Sequence, residues 1–145
     1  MSKLRAEASE SFLYYPETDV ARGNSKREID AAVLLDGRLV LVEAKTNNTV
    51  TKKEVDYYCG LARRTRAKRL IFATASRRRQ DCGSTACACK DESNRDHGWD
   101  DGSQVRIAEA RQDLLPHGIS VETWCYDDLV LKPPVQLLEP FTRRR

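Results

Sequence analysis

The chain has 145 residues, 40% of them apolar and 32% charged, and its 25 lysines and arginines outnumber 22 aspartates and glutamates for a net charge of +3. That length suffices for one buried core, and the balance is ordinary for a soluble globular protein. No apolar run approaches the roughly 18 residues of a membrane span and the amino terminus carries no signal-peptide pattern, so a cytoplasmic protein without membrane association is predicted.

Residues 3–12 read as a short helix and 13–20, with Tyr14 and Tyr15 before Pro16, as an extended segment. Gly23-Asn24-Ser25 then breaks the chain. Two apolar runs flank Asp36-Gly37, the signature of a two-residue type I′ hairpin turn, which needs positive φ at both central positions. Asn47-Asn48-Thr49 is a loop, and Thr51 with Glu54 three residues on forms a capping box. The helix that follows, over 52–66, places Val55, Tyr58, Cys59 and Ala62 on one face.

Residues 69–75 form a short apolar run bounded by charge, as a buried strand does. A second helix is predicted over 104–115, with Val105, Ile107, Ala108, Ala110 and Leu114 apolar, stopped by Pro116 and Gly118. Residues 119–124 alternate and make a last strand, while Pro133-Pro134 opens a tail. The expected fold class is α/β: a mixed β-sheet with a central β-hairpin flanked by helices, the hairpin joined to parallel strands through helical crossovers. Residues 1–132 make one domain with a Cys-containing insertion at about 77–102, and 133–145 a basic tail.

The hairpin carries the chemistry. If Asp36 and Gly37 are the whole loop, Leu35 pairs with Arg38, Asp30 faces Glu43, and Glu28 faces Lys45. Alternation puts Glu28, Asp30, Glu43 and Lys45 on one face. Two carboxylates in direct opposition repel each other. A hard cation with oxygen ligands offsets that repulsion, and Mg²⁺ characteristically takes one or two carboxylates plus phosphate and water.

The arrangement Asp30…Glu43-Ala44-Lys45, on consecutive strands followed by a helix and another strand, resembles the PD-(D/E)XK nuclease superfamily with its restriction-endonuclease-like fold. The resemblance covers roughly residues 26–75 and continues more weakly to about 129. Ile29, rather than Pro, precedes Asp30. The family often adds an acidic residue from a preceding helix, a place open to Glu7 or Glu10. Some exonuclease-like branches carry Gln and Tyr on the helix after the lysine strand, where this chain has Glu54-Val55-Asp56-Tyr57-Tyr58.

The resemblance implies a metal-dependent nuclease acting on nucleic acid, most expectedly as a DNA endonuclease. Asp30 and Glu43, with the Ala44 backbone carbonyl, would hold Mg²⁺ or Mn²⁺, and Lys45 would assist the attack. Glu10 and Glu28 are candidate additional ligands. The rival expectation is a non-catalytic nucleic-acid-binding or scaffold domain of a larger DNA-processing, mobile-element or defence complex.

Basic residues are bunched at Arg63, Arg64, Arg66, Lys68 and Arg69, at Arg77, Arg78 and Arg79, and at Arg143, Arg144 and Arg145. Such clusters suit phosphate backbones. Cys82, Cys87, Cys89 and His97 have ligand chemistry for structural zinc but not a standard finger spacing, so a zinc site, a redox-labile thiol cluster and a plain insertion all stay open. A homodimer or a partner protein supplying target selection fits so small a nuclease domain.

Overall fold

The computed structural model describes residues 2–22, 25–76 and 98–126. Cys82, Cys87, Cys89, His97, Arg77, Arg78, Arg79 and the tail from 133 lie outside them. In chain order the elements are α1 (Ser2–Glu7), β1 (Phe12–Arg22), β2 (Ser25–Leu35), β3 (Arg38–Lys45), α2 (Lys52–Thr65), β4 (Arg69–Thr74), α3 (Asp101–Leu114) and β5 (Ser120–Trp124). Asp36 at φ 49° and Gly37 at φ 73° are both left-handed, as a type I′ turn demands, and Leu35 pairs with Arg38.

The strands form one sheet in the order β1-β2-β3-β4-β5. β2 runs antiparallel to both of its neighbours, β1 and β3, while β3, β4 and β5 run parallel. Parallel neighbours need crossovers, and α2 and α3 supply them. The protein is therefore α/β, with a mixed sheet flanked by helices.

Alternation along the strands divides the core in two. Leu41, Leu70 and Phe72 face α2 and α3, packing against Val55, Tyr58, Leu61, Ile107 and Leu114. Val33, Val40, Val42, Ile71 and Trp124 face the other way, covered by Leu4 of α1. One strand departs from simple alternation: Ile29 joins the first cluster although Ala31 and Val33 belong to the second. The change falls at Asp30, which makes no ladder pair with β1 or β3 among the described residues.

Two boundaries differ from the sequence-based expectation. The first helix stops at Glu7 rather than residue 12, because the next amides have another acceptor. Ser9, Glu10 and Ser11 donate their backbone N–H groups to the Asp36 carboxylate at 2.8–3.0 Å, and Phe12 pairs with Leu35 as β1 begins. The helix expected from Gln104 starts at Asp101, because Asp100 accepts the Ser103 N–H at 2.6 Å and caps it. Asp101 and Gly102, assigned to the insertion on sequence grounds, are thus its first turn.

Asp36 makes a pH-dependent staple. The Ser11, Ser9 and Glu10 amides hold its carboxyl far below the ordinary 3.8. A depressed folded-state value contributes stability above the unfolded value, and that contribution is lost as pH falls. Asp36→Asn keeps a residue that tolerates positive φ and removes the charge together with one of the two accepting oxygens. It should lower Tm at pH 7, with the gap to wild type closing below about pH 4. A Tm difference that is the same at pH 7 and pH 3 would refute the role assigned to the charge.

No helix among the described residues is long and apolar enough to cross a membrane.

Candidate active site

Asp30, Glu43 and Lys45 meet at the open end of the β2–β3 hairpin, but not through the pairing that turn arithmetic suggests. The ladder runs from Leu35:Arg38 to Ala31:Val42 and stops. Continued, it would bond the Ala44 N–H to the β2 backbone. Instead the Asp30 carboxylate takes that N–H at 2.6 Å. Asp30 therefore replaces a backbone acceptor where the strands part, and the separation opens the hairpin end to a ligand.

Glu43 stays on β3, which pairs it with Phe72 of β4. It is only 5% exposed, an unusual place for a carboxylate. Burial pushes its pKa above the ordinary 4.5 and neighbouring Asp30 adds to the rise, opposed by Lys45 and the Tyr58 hydroxyl. Lys45 places its ammonium 2.6 Å from Glu43 and 2.6 Å from Glu54. Burial works against its charge, yet the Glu43 and Glu54 carboxylates outweigh it and hold the amine above its usual pKa.

Glu54 and Tyr58 are the members that sequence reasoning missed. The sequence marks Glu54 only as the partner of Thr51 in a capping box, and it does form that box. The same carboxylate also binds Lys45: one oxygen accepts from the Thr51 N–H and hydroxyl, at 2.7 and 2.6 Å, the other from the ammonium. Burial opposes ionisation of Glu54, but Lys45 and Thr51 prevail and lower its pKa to about 2. Helical periodicity puts Tyr58 on the core face of α2, and its ring packs there on Phe72. Its hydroxyl reaches the site, lying 3.5 Å from the Glu28 carbonyl and within hydrogen-bonding reach of Glu43. Their spacing of four residues on one helix face was the available signal.

The loop after β3 is stitched to its surroundings, which fixes Lys45. Ala75 donates its N–H to the Lys45 carbonyl at 2.8 Å, and Asp100 does the same to Asn48 at 2.9 Å. Thr74 bonds the Asn47 carbonyl through its hydroxyl. The fully buried Ser103 hydroxyl accepts from the Val50 N–H at 2.8 Å, and Arg106 donates to the Val50 carbonyl at 3.0 Å.

Other candidates lie elsewhere. Glu28 is exposed and pairs with Asp19 of β1, and because the β2–β3 ladder ends at Ala31:Val42 it has no register partner at Lys45. Glu10 flanks Asp36 at the turn end, and Glu7 pairs with Arg69. From the Asp36 end to Asp30 is about 20 Å of strand at about 3.3 Å per residue, and Arg69 shares the sheet face of Ile71 rather than that of Leu41 and Glu43, so neither acid completes the carboxylate pair. Arg63, Arg64, Arg66 and Lys68 cluster at the far end of α2 and the start of β4. Glu43 pairs with Phe72, so Lys68 stands about 13 Å of strand before the buried carboxylate, and Arg63, Arg64 and Arg66 lie about 14–18 Å along α2 from Glu54.

Among the described residues no three His, Cys, Asp or Glu side chains converge as a metal cage. Two carboxylates do converge, one buried and the two mutually repelling. That donor pair fits a hard cation which retains water and substrate oxygens in its other positions, as Mg²⁺ does, and does not fit a closed all-protein site. No protein-family model matches the chain, and comparison with curated proteins returns no match.

Proposed function

We propose that this domain is a divalent-metal-dependent nuclease with a restriction-endonuclease-like fold, hydrolysing phosphodiester bonds in nucleic acid, with DNA as the expected substrate. The observation that carries this reading is the meeting of Asp30 and buried Glu43 with the Lys45 ammonium, 2.6 Å from Glu43, at an open hairpin end. A structural role alone does not account for it, because a buried carboxylate beside another costs stability. Asp30 and Glu43 would hold Mg²⁺ or Mn²⁺, with the Ala44 carbonyl as the further donor the family resemblance implies. Such an ion, when bound, lowers the pKa of water and polarises a phosphate.

The chain's own groups supply the rest. Lys45 orients the attacking water or stabilises the charge growing on the phosphorane. Glu54 keeps the ammonium charged and in place, and the Tyr58 hydroxyl restrains Glu43. One observation favours a non-catalytic binding or scaffold domain: the Lys45 ammonium is already matched by two carboxylates, so its charge is compensated without a phosphate.

The test is hydrolysis of linear, circular, branched and single-stranded DNA, and of RNA, with Mg²⁺ or Mn²⁺. Cleavage by wild type that is lost in Glu43→Gln and Lys45→Ala is the expected outcome. Equal cleavage by all three proteins would remove the site assignment. Salt-sensitive retardation of DNA without cleavage of any substrate would favour the binding domain.

A further inference from the structure

At the end of the sheet remote from the carboxylates, a cavity of about 230 Å³ is lined by Arg63, Arg66, Ala67, Lys68, His117 and Ile119. Four of these six side chains are basic, and none is acidic. Arg63 is partly neutralised by Asp113 at 3.2 Å. Arg66, Lys68 and His117 make no ion pair among the described residues. The backbone N–H groups here are spent internally: Ala67 donates to Ala62, Lys68 to Leu39 and Ile119 to Leu114. A ligand would be held by side chains.

Basic residues at a helix C-terminus have a simpler use, since they complement the helix dipole, and that accounts for Arg63 and Arg64. Arg66 is different. It caps α2 in the left-handed region at φ 55°, the position where helices ordinarily place Gly. A Cβ there is strained, so its side chain is retained at a cost in stability, and that side chain lines the cavity. Residues held in sparsely populated conformations cluster at ligand sites.

We propose that this cavity is a phosphate-binding site distinct from the hydrolytic centre, taking a phosphate group presented by a nucleotide or by a nucleic-acid strand. The volume is below the roughly 300 Å³ at which drug-sized pockets begin. It suits a phosphate and its immediate attachment, and Arg and Lys are the side chains that recognise one. The neighbouring cavity bounded by Arg38, Lys68 and Arg69 is less suited, because Arg69 is committed to Glu122 and Glu7.

Binding is measured without divalent metal and in the Glu43→Gln background, so the result is independent of whether the protein hydrolyses anything. The full chain is titrated at constant ionic strength with inorganic phosphate, thymidine 5′-monophosphate or a short oligothymidylate lacking terminal phosphates, reading the amide NMR shifts of Arg66, Lys68, Gly118 and Ile119. Saturable shifts with at least one probe are expected. Saturation by the monophosphate or phosphate identifies a monoester ligand, and saturation by the oligonucleotide alone identifies strand backbone. Arg66→Gly should weaken that binding about tenfold, the scale of one lost charge-assisted bond, while Tm holds or rises because Gly relieves the strained φ. His117→Ala should weaken it as well. Shifts no different from those with chloride would overturn the proposal, as would affinities within about twofold of the parent in both variants.

Discussion

Lys45→Ala should reduce metal-stimulated cleavage by about 10²–10³-fold, the usual loss on removing one group aimed at developing charge, and should also destabilise the fold. Glu43→Gln should lose as much activity without that loss of stability. The two differ because of where the charges lie. Removing Lys45 leaves Glu43, 5% exposed and near Asp30, without its counter-ion. Breaking a buried pair from one side costs about 3–5 kcal/mol. With the Lys45 side chain 23% exposed, water can reach the gap and the cost should fall to about 1–3 kcal/mol.

Glu43→Gln removes the charge that burial penalises, and Lys45 keeps Glu54. Because Glu43 has its pKa raised in the fold, its ionised form opposes stability above that value and ceases to do so as pH falls through it toward 4.5. Any stability advantage of Gln should therefore be largest at neutral pH and vanish in acid. Adding Glu43→Gln to Lys45→Ala should restore most of the lost Tm while restoring no activity. If the double variant is no more stable than Lys45→Ala, the buried carboxylate is not the source of the strain.

The local rules were legible, and the long-range exchanges were not. Asp36-Gly37 announced its turn because only a few residue types accept two positive φ values in succession. Thr51 and Glu54 announced α2 because a capping box spans four residues. Asp30 could be placed on its strand, but not its substitution for a backbone acceptor at Ala44, which depends on where two strands part. Glu54 shows the limit most clearly: its link to Thr51 follows from spacing, whereas its link to Lys45 depends on how the loop at 46–51 folds back. That fold-back is set by Thr74, Asp100, Ser103 and Arg106, none of which is periodic with the loop. Of the candidate acids, spacing could not choose between Glu7 and Glu10, and the fold takes neither to the site: Asp36 holds Glu10 at the turn end, and Arg69 holds Glu7 on the sheet face away from Glu43.

Gly98→Ala should lower Tm by about 5–10 °C, the shift expected when overpacking costs about 1–3 kcal/mol in a domain of this size. Gly98 precedes α3 and is buried where the ends of β4 and β5 come together. A Cβ there would lie 2.6 Å from the Cys125 Cβ and 3.1 Å from the Thr74 Cγ2. Neither neighbour can swing aside: a Cβ moves only with its backbone, and Thr is stiff about χ1. Thr74 also holds the Asn47 carbonyl through its hydroxyl, and the adjoining Asp100 holds Asn48. The displacement should therefore travel through the 46–51 loop to Lys45 and reduce cleavage along with stability. Gly60→Ala in the middle of α2 is the contrasting case. Its Cβ would meet only the Arg64 guanidinium at 3.3 Å, the far end of an exposed side chain that can move. Relief of helical glycine there should add about 0.8–1 kcal/mol. Opposite signs for the two substitutions would show that close approach at Gly98, rather than glycine's backbone freedom, joins the sheet to the loop that carries the lysine. A Gly98→Ala protein as stable as wild type would refute that contact.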